Sequence, residues 1–116
     1  MRLPCFKYPL FLLLVVFAKV HERPRPDGSV ARVVAICDAG LLGRVLREGD
    51  VVVDLSAYRS FYEGERVTAA EVKALLDEES NVNAVGEKAV AALGKFADAS
   101  CVRRVQGVPM VQVYRV

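Results

Sequence analysis

The chain has 116 residues, 53% of them hydrophobic and 26% charged, which argues against a disordered protein and for one folded domain. A formal net charge of +2 argues against polyanion binding through bulk charge, so any RNA contact has to come from a local basic patch. Three widely spaced cysteines, Cys5, Cys37 and Cys101, and one histidine, His21, suit neither a disulfide framework nor a zinc site, so no metal or cofactor is expected.

Arg2 and Lys7 precede an apolar run from Leu10 to Ala18. The order is that of a secretory leader, but no small-x-small cleavage pattern follows. The run also falls short of the roughly 20 apolar residues of a membrane span. Residues 1–14 are therefore expected to be a disordered extension or a start-site artefact, with translation beginning at Val15 or Val16 and no membrane contact. A single α/β domain is expected over 15–116.

The valine-rich run Val15–Glu22 predicts a strand, and Arg23–Ser29, with two prolines and Asp27-Gly28, predicts a turn. Val30–Cys37 predicts a second strand that pairs with the first as a hairpin. Asp38 is placed to cap a helix over Ala39–Arg47, with Leu41, Leu42, Val45 and Leu46 on one stripe and Gly49 beyond its end. Val51–Leu55 predicts a third strand.

Ser56–Arg66 reads as a loop of aromatic and charged residues. Thr68 and Glu71 have capping-box spacing, and Val72, Leu75 and Leu76 supply the apolar face of the helix that follows. Another helix is predicted from Asn81, with Val82, Val85, Ala89, Val90 and Leu93 at helical spacing and Gly94 as its stop. Cys101–Gln106 and Met110–Tyr114 predict two short strands around Gly107–Pro109. The pattern describes an α/β domain of the α+β kind, with a mixed sheet of about five strands and about three helices.

Several residues are candidates for chemistry. His21 and Glu22 are adjacent on a strand, so their side chains point to opposite faces and do not form an acid–base pair. Cys37 stands at a strand end, where a helix N-terminus would favour the thiolate, but Asp38 beside it opposes that charge. Cys37 and Cys101 both lie in apolar strand-like runs, so buried, inert thiols in a reducing compartment are expected. Gly43 and Gly86 fall inside predicted helices, where a close contact or a large ligand would explain them; no phosphate-binding loop is present. Tyr58, Arg59, Phe61 and Tyr62 share one loop, and aromatics beside arginine either stack on unpaired bases or pack as a small lid. The arginines Arg23, Arg25, Arg32, Arg44, Arg47, Arg59, Arg103 and Arg104 are the candidate phosphate contacts. Acidic residues concentrate at Glu63, Glu65, Glu71, Asp77, Glu78 and Glu79, so one basic and one acidic face could result, as could an evenly mixed surface.

Taken together, Lys19–Glu22 (KVHE), Ala35–Asp38 (AICD) with Leu41–Gly43 (LLG), Ser60–Gly64 (SFYEG), Asn83–Glu87 (NAVGE) and Gly107–Gln112 (GVPMVQ) resemble a small archaeal family of unknown function, domain of unknown function four-two-four. The resemblance covers about Val16 to Val116 and departs at the N-terminus, where family members begin near the KVHE segment. It implies an archaeal, cytoplasmic protein of compact α/β fold, with no established reaction and no assigned catalytic residues. Abundant valine, arginine in excess of lysine and the absence of tryptophan are compatible with a GC-rich genome or a thermophile.

The expected function, by analogy with other small archaeal proteins lacking enzymatic signatures, is that of an RNA-associated accessory protein of translation, such as a ribosomal protein. Ribosomal RNA would meet the eight arginines together with Phe61 and Tyr62, or a neighbouring protein would meet the aromatic loop. Removing Arg2 and Lys7 leaves 14 basic and 14 acidic residues, which weighs against it. Two alternatives stand beside it: a small-molecule-binding domain or enzyme using Cys37, Asp38 and His21, with Glu87, and a protein–protein adaptor using the acidic helix near Glu71–Glu79.

Overall fold

In the computed structural model the described residues are 16–76, 81–96 and 101–114. Residues 1–14, Cys5 and the acidic trio Asp77, Glu78 and Glu79 lie outside them.

The first hairpin forms where the valine runs and the Pro/Asp-Gly turn place it. Val16–Pro24 (β1) pairs antiparallel with Val30–Asp38 (β2) along its whole length, from Val16 opposite Asp38 to Pro24 opposite Val30. Asp27 Oδ1 accepts from Ser29 N and Ser29 Oγ at 2.9 and 2.6 Å, and Gly28 takes the positive φ of +91° that the turn requires.

The chain then departs from expectation. Only Ala39–Leu41 coils, as one 3-10 turn, and Val45–Glu48 (β3) pairs antiparallel with Val51–Asp54 (β4) as a separate two-stranded sheet. The predicted helix Ala39–Arg47 is corrected by the glycine inside it: Gly43 sits at φ +90°, a conformation that ends a helix rather than extends it. Leu46 is buried between the exposed Val45 and Arg47, which is strand alternation.

Arg59–Tyr62 forms a single helical turn (α1), Glu65–Val67 a three-residue strand (β5), and Ala69–Leu75 a helix (α2). The capping box of α2 is present as predicted: Glu71 N donates to Thr68 Oγ1 at 3.3 Å, and Thr68 N donates to Glu71 Oε1 at 2.9 Å. The predicted helix from Asn81 divides in two. Asn81–Val85 is a strand (β6), Gly86 turns the chain at φ +114°, and only Glu87–Leu93 is helical (α3). Val102–Val105 (β7) and Val108–Val113 (β8) close the fold as a hairpin.

The main sheet has six strands in the order β5-β1-β2-β6-β8-β7, with β2 and β6 parallel at its centre and every other pair antiparallel. It is mixed, as expected, and carries three helices within an α+β domain. β6 is buried from end to end, as is β2 over Val34–Cys37, because layers cover the sheet on both sides. On one face α2 and α3 bury Val72, Ala89, Ala92 and Leu93 against Val34, Ile36, Val82, Ala84 and Val111. On the other, the β3–β4 hairpin and α1 bury Leu46, Leu55 and Tyr62 against Ala35, Cys37, Val85 and Val105. Full burial of each larger aliphatic side chain stabilises the fold by about 1.5–3 kcal/mol.

Candidate nucleic-acid interface

The hairpin and α1 cover their face of the sheet incompletely. Between them lies a cavity of about 460 Å³ lined by Arg23, Val52, Val53, Asp54, Leu55, Tyr58, Phe61, Tyr62, Asn83, Met110 and Gln112. A second, of about 370 Å³, adds Val51, Cys101, Arg103 and Val105 and shares Val53, Met110 and Gln112 with the first. Together they form one open groove that crosses the sheet obliquely from β1 to β7.

Strand alternation sets its floor. Val82 and Ala84 face the helices, so Asn83 faces the groove; Val111 and Val113 face the helices, so Met110 and Gln112 face the groove. Asn83 is 8% exposed, and its Oδ1 accepts the Tyr62 hydroxyl proton at 2.7 Å. Among the described residues its amide N–H groups have no acceptor. Burial pushes the Tyr62 hydroxyl above its ordinary pKa, with Cys37 and Tyr114 adding to the effect, so it remains a proton donor to Asn83.

The α1 wall is held from β1. Lys19 Nζ donates to Ser60 O at 2.8 Å, and His21 Nε2 lies 2.8 Å from Phe61 O, which fixes it as the protonated nitrogen. The His21 ring stacks on Phe61 with centroids 4.4 Å apart and planes 7° apart. The molecule's sole histidine thus positions the aromatic wall. Phe61 and Tyr62 are part of that packing: Tyr62 is buried, and Phe61 lies between His21 and the Tyr62 ring edge. Tyr58, 63% exposed, is the aromatic side chain of the loop that stands free at the groove.

Of the eight candidate arginines, Arg23 and Arg103 line the groove. Both are exposed, and neither has a hydrogen bond or ion pair among the described residues. Arg25 donates to Ser29 Oγ at 3.2 Å, outside the groove in the β1–β2 turn. Arg59 pairs with Glu63 at 3.0 Å. Arg104 pairs with Glu87 at 3.3 Å and donates to Gly107 O at 2.9 Å. Arg32 and Arg104 alternate onto the helix-covered face, while Arg44 and Arg47 stand exposed around β3. The one carboxylate in the lining, Asp54, is engaged by its own turn: its Oδ1 accepts from Ser56 N, Ser56 Oγ and Ala57 N, bonds that lower its pKa with the Ser56 hydroxyl foremost.

The residues of the enzymatic alternative do not assemble. Cys37 is fully buried, and its thiol is pushed up to about 12 by burial first and the Asp38 charge second. Asp38 accepts from Lys88 N and Ala89 N at 3.1 and 2.7 Å, so it caps α3 rather than the turn that follows it. His21 stands four residues along β1 from Phe17, the partner of Cys37, roughly 13 Å away along the strand. Cys101, expected to be buried, is exposed at the end of the groove. Among the described residues no group of three or more His, Cys, Asp or Glu is gathered for a metal, and no helix is long and apolar enough to cross a membrane. For the adaptor reading, Glu71 is engaged in its own capping box.

Sequence reasoning missed Asn83 and Gln112. The signal is a polar residue inside each apolar run, Asn83 within VNAV and Gln112 within MVQV; helical spacing over 81–93 masks the first.

Residues 29–116 match the family model described as Protein of unknown function (DUF424), and the chain belongs to that family. Its fold is similar to the crystal structure of an uncharacterized conserved protein from Methanopyrus kandleri. That relative is 25% identical with a TM-score of 0.65, over 88% of this chain and 95% of that one. No curated protein matches the chain.

Proposed function

We propose that this protein is an RNA-associated accessory factor of the archaeal translation machinery that meets ribosomal RNA through the groove face of its sheet. The observation that carries the reading is a pair of arginines, Arg23 and Arg103, without a hydrogen bond or ion pair among the described residues, at the two ends of an open groove whose one carboxylate is held by its own turn. Unpaired guanidinium groups bind phosphate without first breaking an internal ion pair. Two arginines at one groove are the kind of local contact that a chain of small net charge can offer. The relative from Methanopyrus kandleri supports the archaeal part of the reading.

The test is sedimentation with archaeal ribosomes across a salt series. The wild-type chain is expected with the ribosomes at low salt and released as salt rises, because phosphate contacts displace counterions. Combined Arg23→Glu and Arg103→Glu changes are expected to weaken binding by about tenfold or more, the scale of a lost charge-assisted hydrogen bond. A chain confined to ribosome-free fractions at low salt would overturn the translation setting. Unchanged affinity of the double variant for RNA would overturn the groove as its site.

A further inference from the structure

We infer that the groove takes single-stranded RNA, with one base stacked on Tyr58 and its polar edge facing Asn83 and Gln112; this deepens the reading above and rests on it. Three observations converge. The first is the pair of N–H donors on Asn83, which meet no acceptor among the described residues although Asn83 is 8% exposed at the floor of an open cavity. A buried amide without an acceptor is costly, and a flat partner bearing ring nitrogens or carbonyl oxygens along its edge would satisfy it. The second is Tyr58, whose ring is exposed on the wall while Phe61 and Tyr62 are taken up by packing. An exposed ring beside an edge-reading amide is the arrangement that holds an unpaired base.

The third is shape. Arg23 and Arg103 lie four strands apart and about six residues apart along the sheet, a diagonal on the order of 25 Å. That is long enough for several nucleotides. The floor residues Asn83, Met110 and Gln112 share the cavity with Val52, Val53, Tyr58 and Phe61. A double helix presents its bases stacked and paired, so it can reach the rim arginines but not bring a base edge down to Asn83. A splayed single strand does both. Gln112, exposed beside Asn83 and offering both donor and acceptor, completes the edge contact.

The test measures fluorescence anisotropy of the full chain with a labelled mixed-sequence RNA oligonucleotide, with the same sequence as a blunt duplex, and with a labelled nucleoside monophosphate. The single strand is expected to bind at least tenfold more tightly than either of the others. Tyr58→Ala should lower its affinity by about fivefold to a hundredfold, the range for one base stacked on an aromatic ring, while Tyr58→Phe retains it. Gln112→Ala should flatten preferences among homopolymers. Tyr58 and Gln112 are both exposed, so these variants keep the fold. Equal binding of strand and duplex, lost on reversing Arg23 and Arg103, would overturn this inference and leave the RNA reading standing. A monophosphate binding as tightly as the oligonucleotide would overturn it in favour of a nucleotide pocket. Absence of binding to any RNA would remove both readings.

Discussion

The Asp38 carboxylate and Gly86 show two residues, distant in sequence, that require each other. Asp38 accepts two backbone N–H bonds at the start of α3, and Gly86 passes so close that a Cβ there would overlap the carboxylate. Gly86 also has φ +114°, which side chains rarely adopt. Asp38→Ala is expected to cost about 0.5–2 kcal/mol, the range for losing an N-cap. Gly86→Ala is expected to cost more, combining backbone strain with the clash. In the double variant the clash disappears, so its cost should fall short of the summed single costs by roughly 0.5–3 kcal/mol, a coupling read from denaturant unfolding. Strict additivity would mean that Gly86 is needed for its backbone alone. The sequence shows that Asp38 is a capping residue, because Asp at a strand end is suited to accepting amide N–H groups. Which helix it caps depends on β2 and β6 lying side by side, and no local pattern contains that fact.

At the scale of elements, legibility follows locality. The β1–β2 hairpin and the α2 capping box are readable because their determinants lie within a few residues of each other. The stretch from Ala39 to Arg47 misleads because Leu41, Leu42, Val45 and Leu46 fit a helical stripe, whereas the decisive constraint is backbone conformation at Gly43. The β6–α3 segment misleads because a strand covered on both faces loses its alternation and resembles the helix beside it. For the candidate site, the arginines are legible one by one, but their sorting onto opposite faces depends on strand register. The β3–β4 hairpin is itself tied to the sheet by a reciprocal exchange across the β7–β8 turn. Gln106 N donates to Glu48 Oε1 at 2.8 Å, and Arg47 N donates to Gln106 Oε1 at 2.9 Å. Gln106 takes a φ of +54° to make it. Glu48→Ala is expected to speed hydrogen exchange at the Gln106 amide by about fivefold, since an exposed hydrogen bond contributes about 1 kcal/mol. Exchange in β2 and β6 should stay unchanged. Equal acceleration throughout would show that the tie supports the whole fold and not the hairpin alone.

For the whole molecule, the single parallel pair has the widest reach. Leaving β2 at Asp38, the chain crosses the groove face as β3, β4 and α1, rounds the sheet edge as β5 beside β1, continues on the opposite face as α2, and re-enters at Asn81 beside the strand it left. The 39–76 segment is therefore a strap around one margin of the sheet, and both hydrophobic layers depend on the β2–β6 ladder. That arrangement bears on the time the chain takes to fold. β1 with β2 and β7 with β8 can each zip locally, but neither layer has its full surface to pack on until two strands more than forty residues apart have met. Such distant pairing pays loop-closure entropy before any contact rewards it, which places folding in the slower range for domains of this size. Fluorescent probes on α2 and on the β3–β4 hairpin, on opposite sides of the sheet, are expected to report one shared refolding rate. Two separate rates would mean that one layer assembles before the strap has closed.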